Sequence, residues 1–588
     1  MSDTQVTAAY SVPEFAPWPT GVAAIVLVAA LITAALGIVA LGLSPTDVFF
    51  SCDGGSKFIL ASALNKRDAN WPALPYPGRN IDPEGRFFPI RDEFSIEVAG
   101  DYYSAFPVYF PMLSALWLTL FGFRGLFAIP LAAAFVGLVL FGYCGRALGW
   151  SPRWQQGGVA LLALATPFGF YAMTFWEHVP AAALFLGALM LLAPTLTSNG
   201  RTPLRRSWAG AGVLLGVATV LRPEYLWIAI ALAANMFLPS LPDKRLRSRA
   251  GYIVGGYLTV LLLFIWANFT LYGDLLGPQL RANLFATGHS RWEIIKLLIA
   301  GENRSGWWSV FALAALAAGV LSHRTGVWLR LGLVSLMGLL VAGMLLTELL
   351  PPGGYRSLSG LIETCPFFLV IPWGGVLAAY SSQAQRSTIL LGRAAGLAFA
   401  GTIATSPVSG GLQGGNRLLL PAIILGLAAV IDGICHHRSE RGVVRAWRTL
   451  ALVALLVSVP LSSRSVAYLL HRKADVDGPA LAMLRRSGAD AAVFTNSSFP
   501  QGLAAAYWEI PFYRIDSVAG LQTILDALGA SGKNHALVLS WPNTPTPQHV
   551  MSRQREGEVW LRADRAFPGG VYQFDLYDRG RMQNRPAN

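Results

Sequence analysis

The sequence predicts an α-helical polytopic membrane protein of about 13 spans with a small C-terminal α/β domain outside the membrane. Three observations predict it. Only 13% of the 588 residues are charged and 54% are hydrophobic, against about 25% charged in a soluble chain. Apolar runs near the roughly 20 residues needed to cross a bilayer recur along the first 463 positions. The remaining chain, 464–588, reverts to short patterned segments between polar turns. So few charges cannot cover a soluble surface of this size, so a soluble multidomain enzyme, a disordered hub and a fibre are excluded.

The candidate spans are 20–43, 125–147, 156–175, 178–194, 208–222, 224–240, 250–272, 305–322, 328–350, 366–382, 387–405, 417–435 and 447–463. The run Gly21 to Leu43 is too long for a signal h-region and follows no basic residue. It reads as a retained first span. The pair on either side of Arg222-Pro223-Glu224 also fits one broken helix.

The net charge of +13 comes with Arg clusters between apolar runs, which argues for topology signals and against nucleic acid. The alternate loops around Arg146/Arg153, Arg201/Arg205/Arg206, Lys244/Arg245/Arg247/Arg249, Arg324/Arg330, Arg386/Arg393 and Arg438/Arg441/Arg445/Arg448 hold 17 Lys/Arg against two acids, Asp243 and Glu440. The positive-inside rule places these loops in the cytosol. The N-terminus is then inside. The long first loop and the C-terminal domain are then outside.

Residues 44–104 form a polar loop rich in Pro, Gly and acids. Ser104 to Phe123 is amphipathic, aromatic and Pro-containing, the pattern of a short interfacial helix. In the C-terminal region Ala491–Thr495 and Ala536–Ser540 read as buried strands, Leu521–Leu528 as a helix and Val571–Tyr577 as a closing strand.

Ionisable groups at span ends are costly and mark functional candidates. Asp53 follows the first span in Phe49-Phe50-Ser51-Cys52-Asp53-Gly54-Gly55-Ser56-Lys57. A carboxylate among aromatics suits a general base, and the glycines permit close approach; the alternative is an Asp capping the next helix. Glu177 and His178 share a tight turn with almost no loop to solvate them. An acid beside an imidazole can orient it, share its proton or hold a metal, or simply mark a hairpin tip at headgroup level. Arg222 and Glu224 flank Pro223, where they bind a phosphate or stabilise a kink as a pair. Arg356 and Arg417 each follow glycines at a span mouth. Guanidinium groups there suit a phosphate or diphosphate, or snorkel to lipid headgroups. The loop from Tyr272 to Arg304 mixes polar and aromatic groups in a way that suits sugar recognition or an ordinary solvated loop. Of the four cysteines, Cys52 and Cys365 fall on the outer side, where a disulfide is open to them. P-loop, GxGxxG, HExxH and GxSxG motifs are absent in a suitable context, which argues against nucleotide hydrolysis and metalloprotease chemistry.

The order of these motifs resembles the GT-C-type integral membrane glycosyltransferases that use polyprenyl-phosphate sugars, among them protein O-mannosyltransferases, lipid A aminoarabinose transferases and arabinofuranosyltransferases. The resemblance rests on Asp53 in a long first outer loop and on Tyr102-Tyr103-Ser104-Ala105-Phe106-Pro107. It continues through Trp176-Glu177-His178, Leu221-Arg222-Pro223-Glu224 and Gly415-Asn416-Arg417-Leu418-Leu419-Leu420-Pro421, and ends in the α/β tail. It implies transfer of a sugar from a polyprenyl phosphate to a cell-envelope glycan, lipid or protein acceptor by single displacement. Asp53, Glu177 and His178 would be catalytic. Lys57, Tyr103, Arg222, Glu224, Arg356 and Arg417 would bind substrate. Some relatives carry an acid pair where this chain has Asp53-Gly54, which argues against a metal-bridging role. A divalent cation, Mg or Mn, stays open as cofactor. Beside this enzyme reading stand a lipid-linked glycan transporter or flippase, disfavoured by the absence of internal repeats and of midplane charges, and a glycan ligase or polymerase with a diphosphate donor.

Overall fold

The computed structural model describes residues 20–196, 204–237, 244–284, 290–302, 358–370, 386–407, 414–436, 442–496, 498–541, 547, 549–551, 558–562, 567–569 and 572–581. The candidate spans 305–322 and 328–350 and the candidate site residue Arg356 lie outside the described residues, as does most of 366–382.

Helices dominate to residue 486. They are α1 (Thr20–Gly42), α2 (Cys52–Asn65), α3 (Tyr109–Phe121), α4 (Ala128–Ala147), α5 (Pro152–Leu164), α6 (Pro167–Ala172), α7 (His178–Leu196), α8 (Arg205–Leu221), α9 (Tyr225–Phe237), α10 (Lys244–Tyr272), α11 (Gly277–Leu284) and α12 (Arg291–Ile299). There follow α13 (Leu361–Thr364), α14 (Arg386–Thr405), α15 (Leu420–His436), α16 (Gly442–His471) and α17 (Gly478–Arg486). Among the described residues seven helical stretches are long and apolar enough to cross a membrane: Gly21–Gly42, Tyr109–Ala147, His178–Leu196, Arg249–Tyr272, Arg386–Thr405, Arg417–His436 and Val444–Arg486.

The helices sort by what surrounds them. On α1 Leu27, Leu31 and Ile38 stay exposed, and on α10 Leu258, Leu262 and Trp266 do. Such apolar exposure suits lipid as the solvent. By contrast α15 is buried almost throughout and forms the centre of the bundle. Small residues set the closest crossings: a Cβ on Gly212 of α8 would lie 2.1 Å from the Ile253 carbonyl oxygen, and one on Gly256 of α10 2.3 Å from that of Ala209. The run expected as 156–175 is broken at Ala165-Thr166, because Thr166 caps α6 and Pro167 opens it. The break at Arg222-Pro223-Glu224 is present between α8 and α9. Arg222 is extended at φ −145°, ψ 106°, as a residue before proline must be.

The segment 44–104 is more ordered than its composition suggests. It contains α2 and the antiparallel pair β1 (Ser95–Val98) and β2 (Asp101–Ser104). Cys52 and Cys365 are not joined; their thiols point to the carbonyls of Ser498 and Ala165.

The C-terminal domain holds β3 (Ala491–Phe494), the short α18 (Phe499–Gly502), β4 (Phe512–Arg514), α19 (Val518–Ala530), β5 (His535–Ser540), β6 (His549–Met551), β7 (Glu558–Arg562), β8 (Phe567–Gly569) and β9 (Tyr572–Arg581). The sheet order is β4-β3-β5-β9-β7-β6, with β8 on β9. β3 pairs in parallel with β4 and β5, and the rest is antiparallel. The period of two divides the strands between two cores. Ala491, Val493 and Val538 pack under Leu521, Ile524 and Leu528 of α19, whereas Ala492, Phe494, Leu537 and Leu539 join the core of the helical domain. Both faces of the central strands are therefore buried, which is why they are almost wholly apolar.

The two domains also share polar contacts. Arg514 pairs with Asp92 at 2.7 Å, Tyr507 donates to the Pro75 carbonyl at 2.6 Å, and Trp508 donates to Ser62 at 2.8 Å. The sheet domain thus covers the end of the bundle where α2 begins.

Candidate active site

The site grows from the N-terminus of α2. Ser51 caps the helix by accepting from Gly54 N–H, and its hydroxyl also accepts from Trp176 Nε1 at 2.8 Å. Asp53 follows in the first turn, where the helix dipole favours a carboxylate. Lys57 stands one turn further on the same face. Gly55 faces the other way, against the C-terminal domain: a Cβ there would lie 1.8 Å from the Gln501 carbonyl oxygen.

The turn before α7 supplies Glu177, which is fully buried. One carboxylate oxygen lies 2.5 Å from Lys57 Nζ and the other 3.1 Å from an Arg222 terminal nitrogen. Arg222 Nε then reaches Glu224 at 2.9 Å. Burial pushes the Glu177 pKa up, but Lys57 and Arg222 outweigh it and hold the carboxyl down to about 2. The result is a chain of charges, Lys57–Glu177–Arg222–Glu224, with every side chain at most 7% exposed.

Arg417 completes the set from the loop before α15. Gly414 and Gly415 have φ of +73° and +104°. A Cβ on Gly414 would lie 2.0 Å from the Phe170 ring, so only glycine lets the loop approach α6. Tyr171 fixes the loop by donating to the Gly415 carbonyl at 2.8 Å, and Asn416 donates to Leu298 at 3.2 Å. Arg417 then contacts Asp53 directly and lies over the Trp176 ring at 5.3 Å. This pair is the more open end of the cluster, with side chains 15% and 7% exposed.

His178 is buried beside these groups. Its ring stacks on Tyr171 at 5.0 Å and tilts against Trp176 at 5.1 Å. Neither ring nitrogen has a hydrogen-bond partner among the described residues, nor do Ser56 Oγ, Asn416 Oδ1, Arg417 Nε or either amide atom of Gln501. Buried polar atoms are rarely left unpaired. His178, Ser56, Asn416 and Arg417 lie on the same elements, α7, α2 and the loop before α15, that carry the charge cluster.

The structure therefore brings together Asp53, Lys57, Glu177, His178, Arg222, Glu224 and Arg417. Tyr103 sits on β2 with its ring edge-on to Tyr272 at 5.6 Å. In the Tyr272–Arg304 loop, Asp274 pairs with Arg281 at 2.5 Å and Arg291 donates to the Ala404 and Ser406 carbonyls, so these charges are held within the fold. Gln501 was not visible as a candidate in the sequence, since a lone amide in Phe499-Pro500-Gln501-Gly502 carries no pattern. Three cations threaded between the carboxylates form a poor divalent-ion site. Among the described residues no group of three or more His, Cys, Asp and Glu gathers, and Asp53 and Glu177 already face Arg417, Lys57 and Arg222.

No family model matches the chain, and no curated protein matches it. Among solved structures it is similar to the oligosaccharyltransferase of Archaeoglobus fulgidus in the apo form, at 14% identity over 88% of this chain and 69% of that one, with a TM-score of 0.49. It is also similar to ArnT from Cupriavidus metallidurans. The apo form aligns at 12% identity over 95% of this chain and 98% of that one, TM-score 0.42. The form bound to undecaprenyl phosphate aligns at 12% identity over 94% and 97%, TM-score 0.41.

Proposed function

We propose that this chain is a membrane glycosyltransferase that moves a sugar from a polyprenyl-phosphate donor to a hydroxyl of a cell-envelope glycan, lipid or protein. The reaction would take place on the outer face of a bacterial cytoplasmic membrane. The observation that carries the reading is the Asp53–Arg417 pair, the open end of a buried charge cluster beside unpartnered polar atoms. A base and a phosphate ligand stand there side by side. A donor phosphate would compete with Asp53 for the Arg417 guanidinium, which suits bidentate phosphate binding. The freed carboxylate then accepts the proton of the acceptor hydroxyl as its oxygen attacks the anomeric carbon. The bond from that carbon to the phosphate oxygen breaks, and its electron pair leaves with the phosphate beside Arg417. The anomeric centre inverts. Glu177, locked between Lys57 and Arg222, positions α2 and the Arg222 loop and takes no proton. His178 and Asn416 offer hydrogen bonds to the sugar or the acceptor.

Removing a general base lowers turnover by about 10²- to 10⁴-fold. Asp53→Asn is therefore expected to lose at least about 100-fold in transfer from a synthetic polyprenyl-phosphate sugar, with unchanged protein in the membrane. Full turnover of this variant removes Asp53 from the mechanism. Glycan analysis of a deletion strain separates the rival: a missing sugar supports the transferase, and an intact lipid-linked glycan stranded on the inner leaflet supports a flippase.

A further inference from the structure

A further carboxylate stands behind the Arg417 loop. Glu363 is the third residue of α13 and is fully buried. Its Oε2 turns back along its own chain and accepts from the N–H groups of Ser359 and Gly360 at 3.0 and 3.4 Å. The same oxygen lies against Gly301, where φ is +87° and a Cβ would come within 2.4 Å of it. Gly360 packs as tightly on the other segment, since a Cβ there would lie 2.4 Å from the Gly301 nitrogen. Ser359 Oγ adds a tie by accepting from the Glu302 N–H at 3.0 Å. Glu363 is thus the group around which two segments close, 298–302 and 358–360. A carboxylate makes stronger hydrogen bonds than an amide but costs more to bury, so one placed here sets the two segments more firmly than packing alone.

These two segments carry the acceptors that hold the Arg417 loop. The Gly415 N–H donates to the Leu358 carbonyl at 2.8 Å, and Asn416 Nδ2 donates to the Leu298 carbonyl at 3.2 Å. Thr364, the neighbour of Glu363, faces Gly415, since a Cβ on that glycine would lie 3.2 Å from the Thr364 methyl carbon. Arg417 follows Asn416 directly and reaches Asp53. A shift of either acceptor therefore moves the guanidinium, and a misplacement of about 1 Å at a reacting group can cost about 100-fold in rate. We infer that Glu363 is a positioning residue for the Arg417 guanidinium: it fixes segments 298–302 and 358–360 against each other and so sets where the loop 414–417 presents its cation. The inference rests on the reading of Arg417 as the ligand of the departing phosphate.

The test follows the thermal midpoint of full-length protein in neutral detergent during titration with geranylgeranyl phosphate, which stands in for the leaving group. Glu363→Gln keeps an oxygen for the two N–H groups, and Glu363→Ala removes it. Gly301→Ala leaves the carboxylate but crowds it, and takes over if Glu363→Ala does not fold. The apparent affinity should fall about tenfold or more in Glu363→Ala and in Gly301→Ala, the factor that a charged hydrogen bond contributes. It should return close to the wild-type value in Glu363→Gln. A residue that only supports the fold lowers the starting midpoint and weakens binding by the same factor in every background. Arg417→Gln separates the two roles: once the cation is gone, Glu363→Ala should weaken binding by no more than about twofold further. The same loss in both backgrounds overturns the inference, as does wild-type affinity in Glu363→Ala. Wild-type affinity in Arg417→Gln overturns the reading of Arg417 as a phosphate ligand and this inference with it, whereas the Asp53→Asn transfer assay reports on the base alone.

Discussion

Glu177 and Lys57 face each other at 2.5 Å with no solvent exposure on either side chain. A buried charge left alone costs several kcal/mol, and Glu177 is the ion-pair partner that offsets this cost for Lys57. Lys57→Met is therefore expected to destabilise the protein by about 3–5 kcal/mol. Arg222 still faces Glu177 in that variant, so the lower end of the range is the better expectation. Thermal unfolding in detergent measures it, and the double variant Lys57→Met/Glu177→Gln should recover much of the loss. The sign of the pH effect follows from the depressed Glu177 pKa. The stabilisation is complete above the ordinary Glu value of about 4.3 and is lost as pH falls toward about 2. The wild type should thus lose stability over this window more steeply than Glu177→Gln. Equal slopes would mean that the carboxylate is not held by its two cations.

At the scale of elements, α2 decides the geometry, because one face carries Asp53 and Lys57 and the opposite face carries Gly55. The contact of Gly55 with α18 leaves no room for a methyl group. Gly55→Ala must push the C-terminal domain away or rotate α2, at a cost of about 1–3 kcal/mol. Either movement shifts Asp53 from Arg417, so turnover should fall more than the lost stability accounts for. Transfer rates and unfolding midpoints of the same preparation separate the two effects. The α8–α9 break acts in a similar way. Pro223 holds Arg222 extended, which is what sends its guanidinium between Glu177 and Glu224. Pro223→Ala lifts that restriction, and a lower transfer rate with retained protein in the membrane is the expected outcome.

Across the whole molecule the C-terminal sheet is part of the core. One face of β3 and β5 packs on α19 and the other on the helical domain. Arg472, Asp477 and Tyr572 tie the start of β9 to the π-turn over Arg472–Asp477, with Arg472 donating to the Tyr572 hydroxyl at 3.1 Å. Deleting residues 487–588 should expose α2 and abolish transfer. Hydrogen exchange over Cys52–Asn65 checks this directly: those amides should lose protection in the truncated protein, and unchanged protection would mean that α2 stands without the sheet.

Composition and period were enough to establish helices in a membrane, the C-terminal α/β pattern and the charged outliers Asp53, Glu177, Arg222 and Arg417. Such signals are local: an apolar run, a strand alternation or an acid with no loop to solvate it is legible from neighbours in the chain. Tertiary structure alone decided that Asp53 meets Arg417, 364 positions away, that Glu177 sits between Lys57 and Arg222, and that Gln501 comes to rest on Gly55. It also turned Lys473 inward. In Arg472-Lys473-Ala474-Asp475-Val476-Asp477 that lysine reads as one more member of a solvated charge run. The π-turn over Arg472–Asp477 carries its ammonium to Ser44 Oγ and the Phe127 ring. Pairings of this kind depend on which surfaces the packed helices bring together, and no periodicity along the chain encodes them.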